Sequence, residues 1–310
     1  MERGKLLGTR ILVPLDGSRL AEQALSCAMA LGRGLPAELV LFCAVSIPSD
    51  VQEALDRAGL QPDPLLERLE TEASEYLEAM SHLLTKADLS FSHIVGHGLP
   101  AGAIVDYGER MDIQLIVMAS HGYTGIKRWR HGSVAERVLH SASVPVLLVR
   151  AKEEVSKGLP EPCTFRRVLV PLDGSKVAEQ VLPAIIPIVQ ALECEMILFR
   201  VPVMHTSGPF TGAWYLPQDS SFETADQNAK AYLERLARHL KGQGIEAATV
   251  TLPGAVPESI IDYAEIKDID LIAMCTHGRT GIARWALGSV ADRVLRASAK
   301  PILLVRAKGG

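Results

Sequence analysis

Two short segments bring together groups able to hold a sugar or an anion. Asp16-Gly17-Ser18 recurs as Asp173-Gly174-Ser175. A carboxylate at such a turn can accept hydrogen bonds from a ribose or a base amine, while the glycine lets the chain turn tightly at the entrance of a helix. An Asx turn ahead of a helix accounts for the same residues equally well. The second segment is longer. Ala119-Ser120-His121-Gly122-Tyr123-Thr124-Gly125 runs on to Gly132-Ser133, and its partner Cys275-Thr276-His277-Gly278-Arg279-Thr280-Gly281 runs on to Gly288-Ser289. Glycines let backbone N–H groups approach an anion closely, and a Gly-Ser pair opening a helix adds unsatisfied N–H groups and a hydroxyl, which is the chemistry of phosphate binding. Ser133 precedes Glu136 by three and Ser289 precedes Asp292 by three, so a capping box fits these serines too. The two roles are compatible, because a box leaves other N–H groups unsatisfied. Lys127, Arg128, Arg130, Arg279 and Arg284 place positive charge beside the loops, where surface solvation explains such residues more often than phosphate contact does.

Other chemistries are poorly supported. No G-x-x-x-x-G-K-[ST] string occurs, which excludes a P-loop. Of three G-x-G-x-x-A strings, those starting at Gly32 and Gly242 precede strands instead of following them. The third, Gly96 to Ala101, lies between a strand and a helix but has no counterpart in the second half and no acid about 20 residues on. His121 and His277 are the matched pair among nine histidines, and a histidine in a glycine loop suits loop orientation by hydrogen bonding. There is no G-x-S-x-G elbow and no acid beside either histidine, and the nine histidines are scattered along the chain, so neither catalytic residues nor metal ligands are assigned. Five cysteines without a C-x-x-C pair point to reduced thiols.

The elements that must position these loops come twice. Ile11-Leu12-Val13-Pro14-Leu15-Asp16-Gly17-Ser18 returns 157 residues later as Val168 to Ser175, and Val117–Lys152 aligns on Ala273–Lys308 with 22 of 36 positions identical. The chain of 310 residues is therefore one module written twice: residues 1–152, a charged Gly- and Pro-bearing linker over 153–165, and residues 166–310. Short apolar runs alternate with helical patterns, the signature of a parallel sheet covered by helices. Strands are expected at 10–14, 38–45, 90–95, 115–119 and 146–149, with helices near 19–31, 64–86, 101–110 and 133–140. The second half repeats the strands at 167–170, 195–201, 247–252, 271–275 and 302–305. Pro183 and Pro187 should kink or shorten that half's first helix, and an aromatic loop over 203–219 is either a lid or packing. A charge of −4, with 14 basic against 18 acidic residues in the first 150 and 18 of each in the rest, predicts no nucleic-acid footprint. No apolar run reaches about 18 residues, and no signal peptide is visible at Met1 to Leu7, so a cytoplasmic protein without membrane contact is expected.

The V-P-L-D-G-S opening, the S/T-H-G-x-T-G loop, the G-S-V-A-x-R-V-L helix and the closing P-V/I-L-L-V-R strand, each present twice, resemble the universal stress protein family in its tandem form. The resemblance implies an α/β fold of two flavodoxin-like, doubly wound parallel sheets, strand order 3-2-1-4-5, paired through their last strands as an intramolecular pseudo-dimer. In the family's nucleotide-binding branch it also implies a G-2x-G-9x-G-[S/T] site. Gly122 with Gly132-Ser133 fits that pattern, as does Gly278 with Gly288-Ser289, but Ala119 and Cys275 stand where the first glycine should be. By the same resemblance Asp16 and Asp173 contact the adenosine. Val45 and Val201 bind the adenine edge through backbone groups. Pro14, Pro171, Val134 and Val290 complete the candidate set.

The expectation is thus a non-enzymatic stress-response protein with ATP, ADP or AMP as a regulatory ligand, Mg²⁺ entering with the phosphates, and a protein partner that the sequence does not name. Alternatives are a nucleotide-free scaffold, if Ala119 and Cys275 spoil the loops, and a slow ATPase or adenine-nucleotide hydrolase. The first half is expected to be the better site.

Overall fold

The computed structural model describes residues 9–85, 87–120, 134–151, 163–202, 219–276 and 287–307. They form two compact units, the first comprising the described residues up to Thr164 with 301–306, the second those from Phe165 to Thr276 with 287–300 and Ala307. In chain order the first carries β1 (Arg10–Pro14), α1 (Arg19–Glu22), α2 (Ala24–Gly34), β2 (Glu38–Val45), α3 (Ser49–Ala58), α4 (Asp63–Thr85), β3 (Phe91–His97), α5 (Pro100–Arg110), β4 (Leu115–Ser120), α6 (Val134–Ser141) and β5 (Val146–Arg150). The second carries β6 (Arg167–Pro171), a 3₁₀ turn (Ala178–Val181), α7 (Leu182–Leu192), β7 (Glu195–Arg200), α8 (Asp219–Gly242), β8 (Ala247–Thr251), α9 (Val256–Ile266), β9 (Leu271–Cys275) and α10 (Ser289–Ala297). The last strand, β10 (Ile302–Val305), belongs to the first unit.

Sheet order in the first unit is β3-β2-β1-β4-β5, all parallel, as the resemblance implies. β10 is antiparallel to β5, with Ile302 opposite Leu148. The second unit repeats the order as β8-β7-β6-β9. The strands read as unbroken apolar runs because helices cover both faces. Ile11, Leu12 and Val13 are fully buried, as are Val168, Leu169 and Val170. Register sets Pro14 opposite Phe42 and Pro171 opposite Phe199. Each phenylalanine tilts against a tyrosine, Tyr107 or Tyr263, with ring centroids 5.2 Å apart. Gly96 on β3 is required by this packing, since a Cβ there would fall on the Phe42 ring. Gly98 follows at φ +103°, its N–H bonded to the Val45 carbonyl at 2.9 Å. Packing and turn geometry therefore account for the third G-x-G-x-x-A string.

The helices depart from expectation in three places. The first is split, with α1 ending at Gln23 before α2 begins. Its counterpart is split as well: the 3₁₀ turn precedes α7, Pro183 stands in the first turn of α7 where no N–H is needed, and Pro187 lies inside the helix. α3 was not anticipated. None of its residues is buried, so it has no core-facing stripe to read, and it ends on Gly59 at φ +66°. Of the expected linker, residues 153–162 lie outside the described residues, as do 203–218 of the aromatic loop. Cys163 and Thr164 group with the first unit, where the Cys163 N–H donates to the Ser26 carbonyl at 3.2 Å. Among the described residues no helix is long and apolar enough to cross a membrane.

Candidate functional site

A cavity of about 360 Å³ opens at the carboxyl ends of β1, β2 and β4 in the first unit. β1 lies between β2 and β4, so this is where strand order reverses and where open α/β sheets take ligands. Pro14, Leu15 and Asp16 enter its wall from β1 and the turn after it, Ser18, Leu20 and Ala21 from the turn and α1, Phe42 and Ala44 from β2. The remaining wall is Pro100 and Ile104 of α5, Met118, Ala119 and Ser120 of β4, and Val134 and Ala135 at the start of α6.

The turn that carries Asp16 is built locally. The Asp16 carboxylate accepts the Ser18 N–H at 3.0 Å, Gly17 takes φ +80°, and the Ser18 hydroxyl caps α1 by accepting from Ala21 N–H at 3.1 Å. The Asx turn is therefore present. It leaves the carboxylate acceptor capacity for a ligand hydroxyl or amine, because two oxygens offer about four lone-pair sites. Behind the turn, Tyr76 on α4 donates to Glu22 Oε1 at 3.4 Å, and Arg19 reaches Glu22 Oε2 at 3.1 Å. Burial, followed by the charge of Glu22, pushes the Tyr76 phenol up, so it remains a neutral donor. Burial and the nearby Asp16 raise the Cys43 thiol.

Of the residues expected in this half, Pro14, Asp16, Ala119 and Val134 come together in the cavity wall. Gly122, Gly132, Ser133 and His121 lie outside the described residues, as do Lys127, Arg128 and Arg130. On β2 the wall residues are Phe42 and Ala44, and Val45 is one position past Ala44. The displacement of 157 that links Asp16 to Asp173 also links Phe42 to Phe199, so Val201 is the counterpart of Ala44. That displacement was the signal for Ala44. Met118, Phe42 and Ile104 carried none beyond their apolar patterns.

In the second unit Asp173 accepts the Ser175 N–H at 2.8 Å and the Ser175 hydroxyl at 2.6 Å, with Gly174 at φ +86°. Tyr232 donates to Glu179 at 3.1 Å, and Lys176 pairs with Glu179 at 2.8 Å. Pro171 ends β6 and Val201 lies just beyond β7. Cys275 ends β9, with its thiol directed at the Ala178 carbonyl at 3.6 Å and pushed up to about 12, chiefly by burial. Ala178 is the counterpart of the wall residue Ala21, so the sulfur occupies the gap between strand and turn that Ala119 leaves in the first unit. Gly278, His277, Arg279 and Arg284 are outside the described residues.

The capping box expected at Ser289 does not form. Gly288 is the cap of α10, with no side-chain cap bond; Ser289 is the first helical residue, Val290 follows it, and Asp292 pairs with Arg296 at 2.8 Å. Gly288 N–H donates to the Thr276 carbonyl at 2.7 Å, which ties the helix entrance to the end of β9.

This geometry has close relatives. The model of the universal stress protein family matches residues 9–150 and again 164–306. A universal stress protein of Methanocaldococcus jannaschii is 32% identical over 146 residues, covering 46% of this chain and 82% of its own. A solved universal stress protein of Archaeoglobus fulgidus superposes with a TM-score of 0.70 at 22% identity, covering 96% of this chain and 98% of its own. Another solved universal stress protein is a complex with cAMP, 21% identical over 47% of this chain and 99% of its own, with a TM-score of 0.30. The chain belongs to the universal stress protein family and carries two such domains in tandem.

Proposed function

We propose that the first domain binds an adenine nucleotide, ATP or its di- or monophosphate, as a regulatory ligand in a stress response. The observation that carries this reading is the cavity at the strand-order reversal, where Asp16, Ala44, Ala119 and the start of α6 share one wall. Its volume suits a small ligand. Phe42, Ala44, Ile104 and Met118 offer an apolar bed for a base, Asp16 an acceptor for ribose hydroxyls, and the start of α6 a partial positive charge for phosphate. Ala119 adds only a methyl to the family pattern, and that methyl borders space.

A ligand that binds one conformation better shifts the population and with it the surface offered to a protein partner. Regulation suits this wall better than turnover, because among the described residues that line it Asp16 is the one acidic or basic side chain, and it is engaged in the turn that forms the wall. Mg²⁺ would arrive with the phosphates. The test is to extract nucleotide from freshly purified protein, then to follow unfolding with ATP and Mg²⁺. At a concentration about 100-fold above Kd, ligand should add about 2.7 kcal/mol of stability. No retained nucleotide and no stabilisation at millimolar ATP would leave the nucleotide-free scaffold. Steady phosphate release that is lost in Asp16→Ala would instead favour the hydrolase.

A further inference from the structure

The turns beside Asp16 and Asp173 are built from matched parts: the aspartate, the serine two residues on, a Glu22 or Glu179 paired with Arg19 or Lys176, and a Tyr76 or Tyr232 donating to that glutamate. One matched position breaks the series. Cys43 on β2 becomes Arg200 on β7. At Gly17 a Cβ would meet nothing within 4 Å among the described residues, so the space against the turn is open. At Gly174 the same Cβ would lie 2.8 Å from both Nη1 and Nη2 of Arg200. The guanidinium fills that space, and it stacks on the Tyr232 ring at 4.8 Å, an arrangement that holds it in place.

We propose that Arg200 keeps the second domain from accepting the nucleotide that the first accepts, so that one chain carries one nucleotide. The inference rests on the nucleotide reading of the first domain and deepens it. The guanidinium lies against the turn that carries Asp173, the aspartate a ribose would approach in the proposed reading. Its bulk therefore opposes binding. Asp173 is also more fully engaged than a ribose acceptor should be, with two hydrogen bonds from Ser175 on one oxygen. Cys275 narrows the same site from β9.

The test is the stoichiometry of Mg-ATP binding to the full chain by calorimetry, for wild type, R200C, R200A, C275A and R200C/C275A, each checked for native melting. Wild type and C275A should bind one equivalent, a site lost in D16A. R200C or R200A should gain a second, lost on adding D173A, with a Kd at least tenfold below the wild-type limit, and R200C/C275A should bind it more tightly. Two equivalents in wild type would overturn the proposal. So would one equivalent in every folded Arg200 variant, with the first-domain reading left standing. If wild type binds none while R200C/C275A binds one through Asp173, the first-domain reading falls and the role of Arg200 holds. No binding in any variant overturns both.

Discussion

Asp16 serves a turn and, in the proposed reading, a ligand, and two substitutions separate these roles. Asp16→Asn keeps an oxygen for the Ser18 N–H, whereas Asp16→Ala removes it along with the ligand acceptor. Hydrogen bonds to a charged group contribute about 1.5–3 kcal/mol, so D16A should weaken nucleotide binding by about 10- to 100-fold. D16N should fall between D16A and wild type, with unfolding close to wild type. Equal affinity in all three proteins, read by calorimetry, would remove Asp16 from the site. Gly96 is a packing residue by the same standard. Gly96→Ala forces a methyl onto the Phe42 ring, a close approach of the overpacking kind that costs about 1–3 kcal/mol, measurable by urea unfolding. The buried thiols make a third case. Burial pushes Cys194 up to about 11 and Cys275 up to about 12, from an ordinary value of 9.0, so thiolate is scarce at pH 8. Cys194 should alkylate with iodoacetamide on the order of 100-fold more slowly in the native protein than in urea, and Cys275 more slowly still, with peptide mass spectrometry identifying the sites.

Elements show why part of this design was legible in sequence and part was not. The parallel strands were readable because residues such as Ile11-Leu12-Val13 are buried on both faces and leave unbroken apolar runs. That same property hid which face each residue takes. Without alternation on β2 nothing local separates Ala44 from Val45, and only the repeat displacement, confirmed by the register of Pro14 with Phe42, picks out Ala44. α3 was invisible for the opposite reason, since it buries no residue. Ser289 misled because a helix can begin one residue after a glycine cap, which leaves the hydroxyl in its first turn. Asp226 yields the prediction that belongs to this scale. It joins α8 to the edge strand β8, accepting from the Thr251 hydroxyl at 2.8 Å and pairing with Lys230 at 2.7 Å, and these bonds, Lys230 first, hold its carboxyl below the usual range. A depressed folded pKa adds stability above the unfolded value, about 3.9, that is lost as pH falls through the folded value. The site is largely solvated, so the contribution should be a few tenths to about 1 kcal/mol. The stability gap between wild type and Asp226→Asn should be present at pH 6 and should close as pH falls below about 4.

Across the whole molecule, duplication supplied two copies of one module, and the copies are unequal. The first keeps open space beside Gly17, while in the second Arg200 fills the matching space and the Cys275 sulfur lies against the Ala178 carbonyl. The fold divides the chain unequally too. β10 comes from the end of the sequence, yet it groups with the first unit, where it pairs antiparallel with β5 through Ile302, Leu303 and Leu304 opposite Leu148, Leu147 and Val146. These six side chains are all nearly fully buried. Removing β10 would turn β5 into an exposed apolar edge, the kind that recruits another strand. A chain ending at Lys300 should therefore lose protection of the β5 amides in hydrogen exchange and should self-associate at concentrations where the full chain does not. Leu303→Asp should do the same without shortening the chain, because it sets a charge where a fully buried leucine stood. The comparison to make is hydrogen exchange over 146–150 against 38–45. Loss of protection confined to 146–150 follows from edge exposure, while equal loss over both would mean that β10 supports the first unit as a whole. Unchanged exchange at 146–150 in both variants would show that β5 does not depend on this pairing.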